Sequence, residues 1–185
     1  MGDIARTAQV ARATVYNNFD DKQDILAAII KDYMTGYAMI AKRLRENART
    51  GETSFDLIQE MVREALSWRV DNADLRPIVA VAKNMRGSGW EEADKAADDA
   101  LLGWIVDVHA ADAEAGLIRE DIDLEFAVRA AFAMIESVLS SFDVSSTEEE
   151  INKAAHQLAL MHWYSICSVA PSEAPRSPLG RKPSP

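Results

Sequence analysis

Residues Asp3 to Lys22, DIARTAQVARATVYNNFDDK, constrain the fold more than any other stretch, because their apolar positions suit two short helices joined by a tight turn. Ile4, Ala5 and Ala8 line one side of a first helix. Gln9 and Val10 interrupt it. Val15 and Phe19 follow at i, i+4, so a second helix can turn one face inward. The opposite face carries Arg12, Thr14, Asn17 and Asn18, whose donors and acceptors suit phosphates and base edges. A helix pair of this kind is how a helix-turn-helix presents its second helix to the DNA major groove.

In fixed register the segment resembles the tetracycline-repressor (TetR) family of transcription regulators, whose members read D-I-A-x-x-A-G-V-S-x-x-T-[LV]-Y-x-x-F-x-x-K-x-x-L. Asp3, Ile4, Ala5, Ala8, Val10, Thr14, Val15, Tyr16, Phe19 and Lys22 all fit, and the Ile25-Leu26 pair supplies the apolar position that follows. The resemblance implies an all-α chain: a helix-turn-helix head, then a helical body that binds a small-molecule effector and dimerises. It also implies roles within the head. Arg12 and Ala13 open the recognition helix and face base edges, Arg12 toward guanine and Ala13 toward a thymine methyl. Thr14, Tyr16 and Lys22 match positions that hold phosphates, and Asn17 and Asn18 form a variable pair able to reach bases or backbone.

Two departures weaken this head. Gln9 stands where the family has a turn glycine, and a side chain forced to positive φ costs about 1 kcal/mol. Ala11 stands where the family favours a capping serine, and losing such a cap costs about 1 kcal/mol. The resemblance further implies an amphipathic helix before Asp3. Ile4, Val10, Val15 and Phe19 need an apolar cover that a helix from Asp21 supplies only in part. The expectation is a start placed too far downstream or a clipped chain; the alternative is a dimerisation or ligand-binding module with defective DNA binding.

A chain of 185 residues can bury one good core and a small attached lobe. No apolar run reaches the roughly 18 residues of a membrane span, and no signal peptide precedes the motif. The single cysteine, Cys167, excludes an internal disulfide and fits a reducing cytosol. The net charge of −10 is unevenly spread. Residues 1–45 carry seven Lys/Arg against five Asp/Glu, and the remainder thirteen against twenty-five. An acidic body repels DNA and helps point the mildly basic end toward it. So few cations on a reading head imply that tight binding takes two copies.

Beyond the motif the helical spacing continues to about Val169. Ile25, Leu26, Ile29, Ile30, Tyr33, Met34, Tyr37, Ile40 and Leu44 form the inner stripe of a long linking helix that opens at Asp20-Asp21. Thr53 or Ser54 caps a helix through Trp68, and Asp74 and Pro77 open a shorter one that ends at Gly87 to Gly89. One helix is expected from Trp90 to Ala115, one from Asp121 or Asp123, and a last one opened by Ser145 to Thr147 before Glu148, Glu149 and Glu150. No segment alternates strictly, so the fold is read as all-α. The divisions are a head and linking helix over 1–45, an effector-binding and dimerisation body over 46–170, and a disordered tail over 171–185. Five of the six prolines lie in that tail.

The last two long helices carry more apolar surface than one contact face needs, and resemblance implies that they pair across a two-fold axis. Candidate residues for the effector cavity are Trp68, Met85, Trp90, Trp104, His109 and Phe132, since such pockets are mainly apolar with a few polar anchors. No cofactor or metal is expected. Glu91, Glu92, Asp94, Asp98 and Asp99 suggest a carboxylate-metal bundle enzyme, but His109, His156 and His162 each lack the Glu three residues before that such a site needs. His156 and His162 are six apart and cannot share a ligand face. The acids are read as a solvated face. Neither a phosphate-cradling glycine loop nor a nucleophile elbow is present.

Overall fold

The computed structural model describes residues 1–48, 51–85 and 89–176. Its helices are α1 (Gly2–Thr7), α2 (Arg12–Asn18), α3 (Lys22–Asn47), α4 (Ser54–Asp71), α5 (Arg76–Lys83), α6 (Trp90–Val108), α7 (Ala110–Glu114), α8 (Leu124–Leu139) and α9 (Glu148–Ile166), with 3-10 turns at Ala73–Leu75 and Pro171–Glu173. Among the described residues the only β-pairings are isolated bridges, Thr53 with Arg176 and Ile118 with Cys167. The fold is all-α.

Contacts divide the chain into two compact units. One comprises Met1–Gly36 and Asp74–Ala97, the other Tyr37–Ala73 and Asp98–Pro185. α5 and the front of α6 therefore group with the head, a division that differs from the one drawn at residue 45. In the first unit α1 packs on α2, and Ala5, Val15, Ile30, Tyr33, Met34, Val79, Ala82 and Trp90 are buried. Lys83 Nζ sits 4.8 Å from the centre of the Trp90 ring, so the side chain that leaves α5 covers the one that opens α6.

In the second unit α4 packs chiefly on α9, and α8 packs on both. Buried residues line one face of each helix: Phe55, Leu57, Ile58, Met61, Val62, Ala65 and Leu66 on α4, and Leu101, Trp104, Ile105 and Val108 on the rear of α6. Helix starts follow from side-chain oxygens meeting orphan N–H groups. Thr53 accepts from the Asp56 N–H at 3.2 Å while Asp56 accepts from the Thr53 N–H at 2.9 Å, a reciprocal box that Thr147 and Glu150 repeat on α9. Asp123 caps α8 by accepting from the Phe126 N–H at 2.7 Å.

Three elements depart from expectation. The helix expected from Trp90 to Ala115 is two helices, broken at His109 (φ −85, ψ 1). No glycine or proline makes that break; a buried hydrogen-bond row centred on His109 coincides with it. The last helix stops at Ile166 rather than Val169, with Cys167 in extended backbone. Past it, Pro171–Glu173 make a 3-10 turn and Arg176 bridges to Thr53, while the rest of the proline-rich tail lies outside the described residues. The break expected at Gly87 to Gly89 also falls largely outside them, and Gly89 itself has φ +75. Gly116, at φ +69, closes α7 in the left-handed conformation that a residue with a Cβ avoids.

Candidate nucleic-acid interface

The turn between α1 and α2 runs through Gln9, which at φ +57 is the only non-glycine residue with positive φ among those described. Replacing Gln9 with glycine is expected to stabilise the head by about 1 kcal/mol, read as a higher denaturant midpoint. An unchanged or lower midpoint would contradict it. Ala11 precedes α2 with extended backbone (φ −65, ψ 145) and provides no side-chain cap, so the first N–H groups of that helix receive no cap of their own.

Val15 is buried and Phe19 half-buried, which turns the other side of α2 outward. Arg12, Ala13, Thr14, Tyr16, Asn17, Asn18 and Lys22 are all exposed, Tyr16 to 56%. Two of these are already engaged. Asn18 Nδ2 donates to the Thr14 carbonyl at 2.8 Å, which holds it against its own helix, and the Arg12 guanidinium lies so close to Gly2 that a Cβ there would meet Nη2 at 2.9 Å. Lys22 is the first residue of α3, whose start is fixed by Asp21 Oδ1 accepting from the N–H groups of Gln23 (2.7 Å) and Asp24 (3.0 Å). A carboxylate cap therefore orders the turn that carries this lysine. Val10, expected to need cover, is 43% exposed.

The six candidate effector residues do not fall in one unit. Met85 and Trp90 belong to the first; Trp68, Trp104, His109 and Phe132 belong to the second. Trp68 is half-buried, its ring 5.6 Å from that of Tyr37, while Trp104 and His109 are fully buried. Tyr37 Oη donates to Glu136 Oε1 at 2.9 Å, and Arg69 Nη2 donates to the other carboxylate oxygen at 2.5 Å. Burial first, and then the Glu136 charge, push the Tyr37 phenol well above its ordinary range. Sequence reasoning misses this cluster, because Tyr37 and Glu136 stand 99 positions apart.

His109 anchors a second polar cluster. Its Nδ1 lies 2.7 Å from Asp112 Oδ2, and its Nε2 lies 2.9 Å from Nε2 of His162. The spacing of His162 to His156 is a comparison along one helix, and it cannot reveal a partner 53 positions away. His156 itself is exposed and bonds Gln59 at 2.8 Å. Of the acids read as a solvated face, Glu91, Glu92 and Asp99 are exposed, whereas Asp94 and Asp98 are half-buried. No group of three or more His, Cys, Asp or Glu placed to hold a metal occurs among the described residues.

Residues 1–29 match the family model described as "Bacterial regulatory proteins, tetR family". That segment is similar to the head of TetR-family regulators. The whole fold is also that of TetR regulators. A TetR family transcriptional regulator, PfmR from Thermus thermophilus, superposes with a TM-score of 0.64 at 19% identity, covering 86% of each chain. SCO3833 from Streptomyces coelicolor, a member of the TetR transcriptional regulator family, superposes with a TM-score of 0.58 at 14% identity, covering 89% of this chain and 80% of that one. No curated protein matches the chain significantly. These likenesses are to transcription regulators and not to enzymes.

The second unit leaves apolar surface on its last two helices. Phe132, Ile135, Leu158, Trp163 and Ile166 point into the unit, but Phe126 is 73% exposed, with Ala130 and Ala133 following it on the outer side of α8. On α9, Met161 and Tyr164 are each more than half exposed. No described helix is long and apolar enough to cross a membrane.

Proposed function

We propose that this chain is a one-component TetR-type repressor: a homodimer that binds a palindromic double-stranded operator and lets go when a small-molecule effector fills its body. The observation that carries this reading is the run of exposed polar side chains on α2 and at the start of α3, all within the segment that matches the family model. Thr14, Tyr16 and Lys22 hold phosphates and so set the register of the head, while Arg12, Ala13 and the Asn17–Asn18 pair meet base edges. Engaging DNA requires Arg12 to leave Gly2, a rearrangement of one flexible side chain.

Phe126, Ala130 and Ala133 on α8 with Met161 and Tyr164 on α9 form the face that a second copy covers, which supports a dimer built from these helices. Two heads then read two half-sites about 34–36 Å apart. An effector held by the body, with Trp68, Trp104, His109 and Phe132 of the second unit as candidate contacts, favours a head spacing that misses one half-site, so DNA affinity falls by population shift. Repression is by occlusion of the promoter, in the cytosol where the chromosome lies.

Fluorescence anisotropy with the chain's own promoter and with random duplex, at graded salt, tests this. Preferential binding by a dimer is expected; a monomer with no preference at low salt would end the proposal. Lys22→Ala should weaken binding to all duplexes alike and flatten the salt slope by about one unit, whereas a selective loss with an unchanged slope contradicts a phosphate role. Arg12→Ala should instead relax preference at one base pair per half-site, costing about 1–3 kcal/mol of discrimination.

A further inference from the structure

The stretch from Val108 to Ala115 favours continuing α6. It contains neither glycine nor proline, and Ala110, Ala111, Ala113 and Ala115 are the strongest helix formers. The helix nevertheless stops at Val108 and restarts at Ala110. Breaks of this kind have identifiable causes, and the feature that coincides with this one is the row Asp112–His109–His162, whose members are 0%, 0% and 2% exposed. Two imidazole nitrogens 2.9 Å apart must share one proton. With none, two lone pairs face each other; with two, the N–H groups collide. Because His109 Nδ1 faces the Asp112 carboxylate and donates to it, the neutral arrangement has His162 Nε2–H donating to His109 Nε2.

We propose that this row is a latch that makes the break between α6 and α7 conditional: while the shared proton bridges His109 and His162, α7 is a separate helix tied to α9, and when the bridge is lost α6 and α7 join into one helix. Local helix preference and the tertiary hydrogen bond thus pull in opposite directions, which makes the junction two-state. The groups facing the row are few. Asp112 comes from α7, and His162 comes from α9. Cys167 follows α9, its thiol pushed up to about 12 by burial and then by the Asp112 charge, and the Trp163 ring lies 6.3 Å from His109. Among the described residues Asp112 Oδ1 has no hydrogen-bond partner, so the carboxylate is anchored through its other oxygen, by His109. Any group that takes either Nε2, a second proton included, opens the latch. Burial makes His162 resist that proton, with its pKa held down to about 3.

The test uses the full chain labelled with 15N and 13C at neutral pH. Scalar coupling across the hydrogen bond between the two Nε2 nuclei is expected, with a non-helical Cα shift at His109. His162→Leu should move the Cα shifts of residues 108–111 to helical values, whereas His162→Gln, whose amide N–H can still donate to His109, should keep the break. Absence of the coupling in the wild type overturns the proposal. So does a His162→Leu chain that keeps the wild-type shifts at 109. If the leucine variant does not fold, the wild-type coupling and the glutamine variant decide: coupling with a retained break supports the latch, and a lost break in the glutamine variant overturns it.

Discussion

Replacing Trp163 with alanine is expected to cost about 3–5 kcal/mol of unfolding free energy, a loss at the upper end for a single core substitution. The side chain is 1% exposed and sits where α9 meets α4, its ring 6.2 Å from Phe55 in an edge-on arrangement and 6.3 Å from His109. Its indole N–H also donates to the Val169 carbonyl at 2.8 Å, tying the end of α9 to the segment that follows. Truncation therefore leaves a cavity, an unpartnered carbonyl and a loosened histidine row together. Against a total stability of roughly 5–15 kcal/mol for a domain of ordinary size, such a loss brings the fold near its threshold. Chemical denaturation followed by circular dichroism measures it. A change below about 1 kcal/mol would mean that the site collapses around the gap, or that the second unit is not held together through α9.

Acidification is expected to destabilise the chain well above the range in which carboxylates titrate, and His162 is the reason. Burial, and then the neighbouring His109, hold its imidazole down to about 3 in the folded state, against 6.5 in the open chain. Below 6.5 the unfolded state takes up a proton that the folded state refuses. The stability this residue contributes is thus fully present above pH 6.5 and is lost as the pH falls toward 3, at about 1.4 kcal/mol per pH unit. By about pH 4.5 the loss is on the order of 3 kcal/mol. Asp121, lowered by its bond to Arg119, and Glu150, lowered by the Thr147 N–H, add losses of the same sign at lower pH. His162→Gln separates the two contributions, since it keeps a donor toward His109 but cannot titrate. Unfolding midpoints of that variant should stay level between about pH 6.5 and 4.5 while those of the parent fall. Parallel curves for the two proteins would remove His162 as the source.

Much of this architecture is legible one residue at a time. The helix starts at Thr53, Asp123 and Thr147 can be narrowed to two or three neighbouring candidates each, because a cap is a contact between a side chain and an N–H two or three positions on. Gln9 can be expected at positive φ because it stands where the resemblance implies a turn glycine. The outward set on α2 follows from Val15 and Phe19 at helical spacing. The break at His109 is not legible, since neither glycine nor proline stands between Trp104 and Ala115 to mark it. Neither is the Tyr37–Glu136–Arg69 cluster, whose members come from α3, α8 and α4. The candidate cavity residues fare unevenly for the same reason: apolar character and helical spacing identify a buried face without saying which neighbours share it.

Hydrophobic period, caps and turn residues act within four positions along the chain, and they determined the all-α class, the head and its outward-facing residues. Tertiary packing decided which polar groups meet in the interior, how the chain divides into two units, and which apolar residues of α8 and α9 stay in solvent. Those outcomes depend on contacts between residues as distant in sequence as Phe55 and Trp163, and no local pattern encodes them. The pairing of His109 with His162 is the clearest case: burial removes water as an alternative partner, so each ring nitrogen must bond whatever the fold brings beside it.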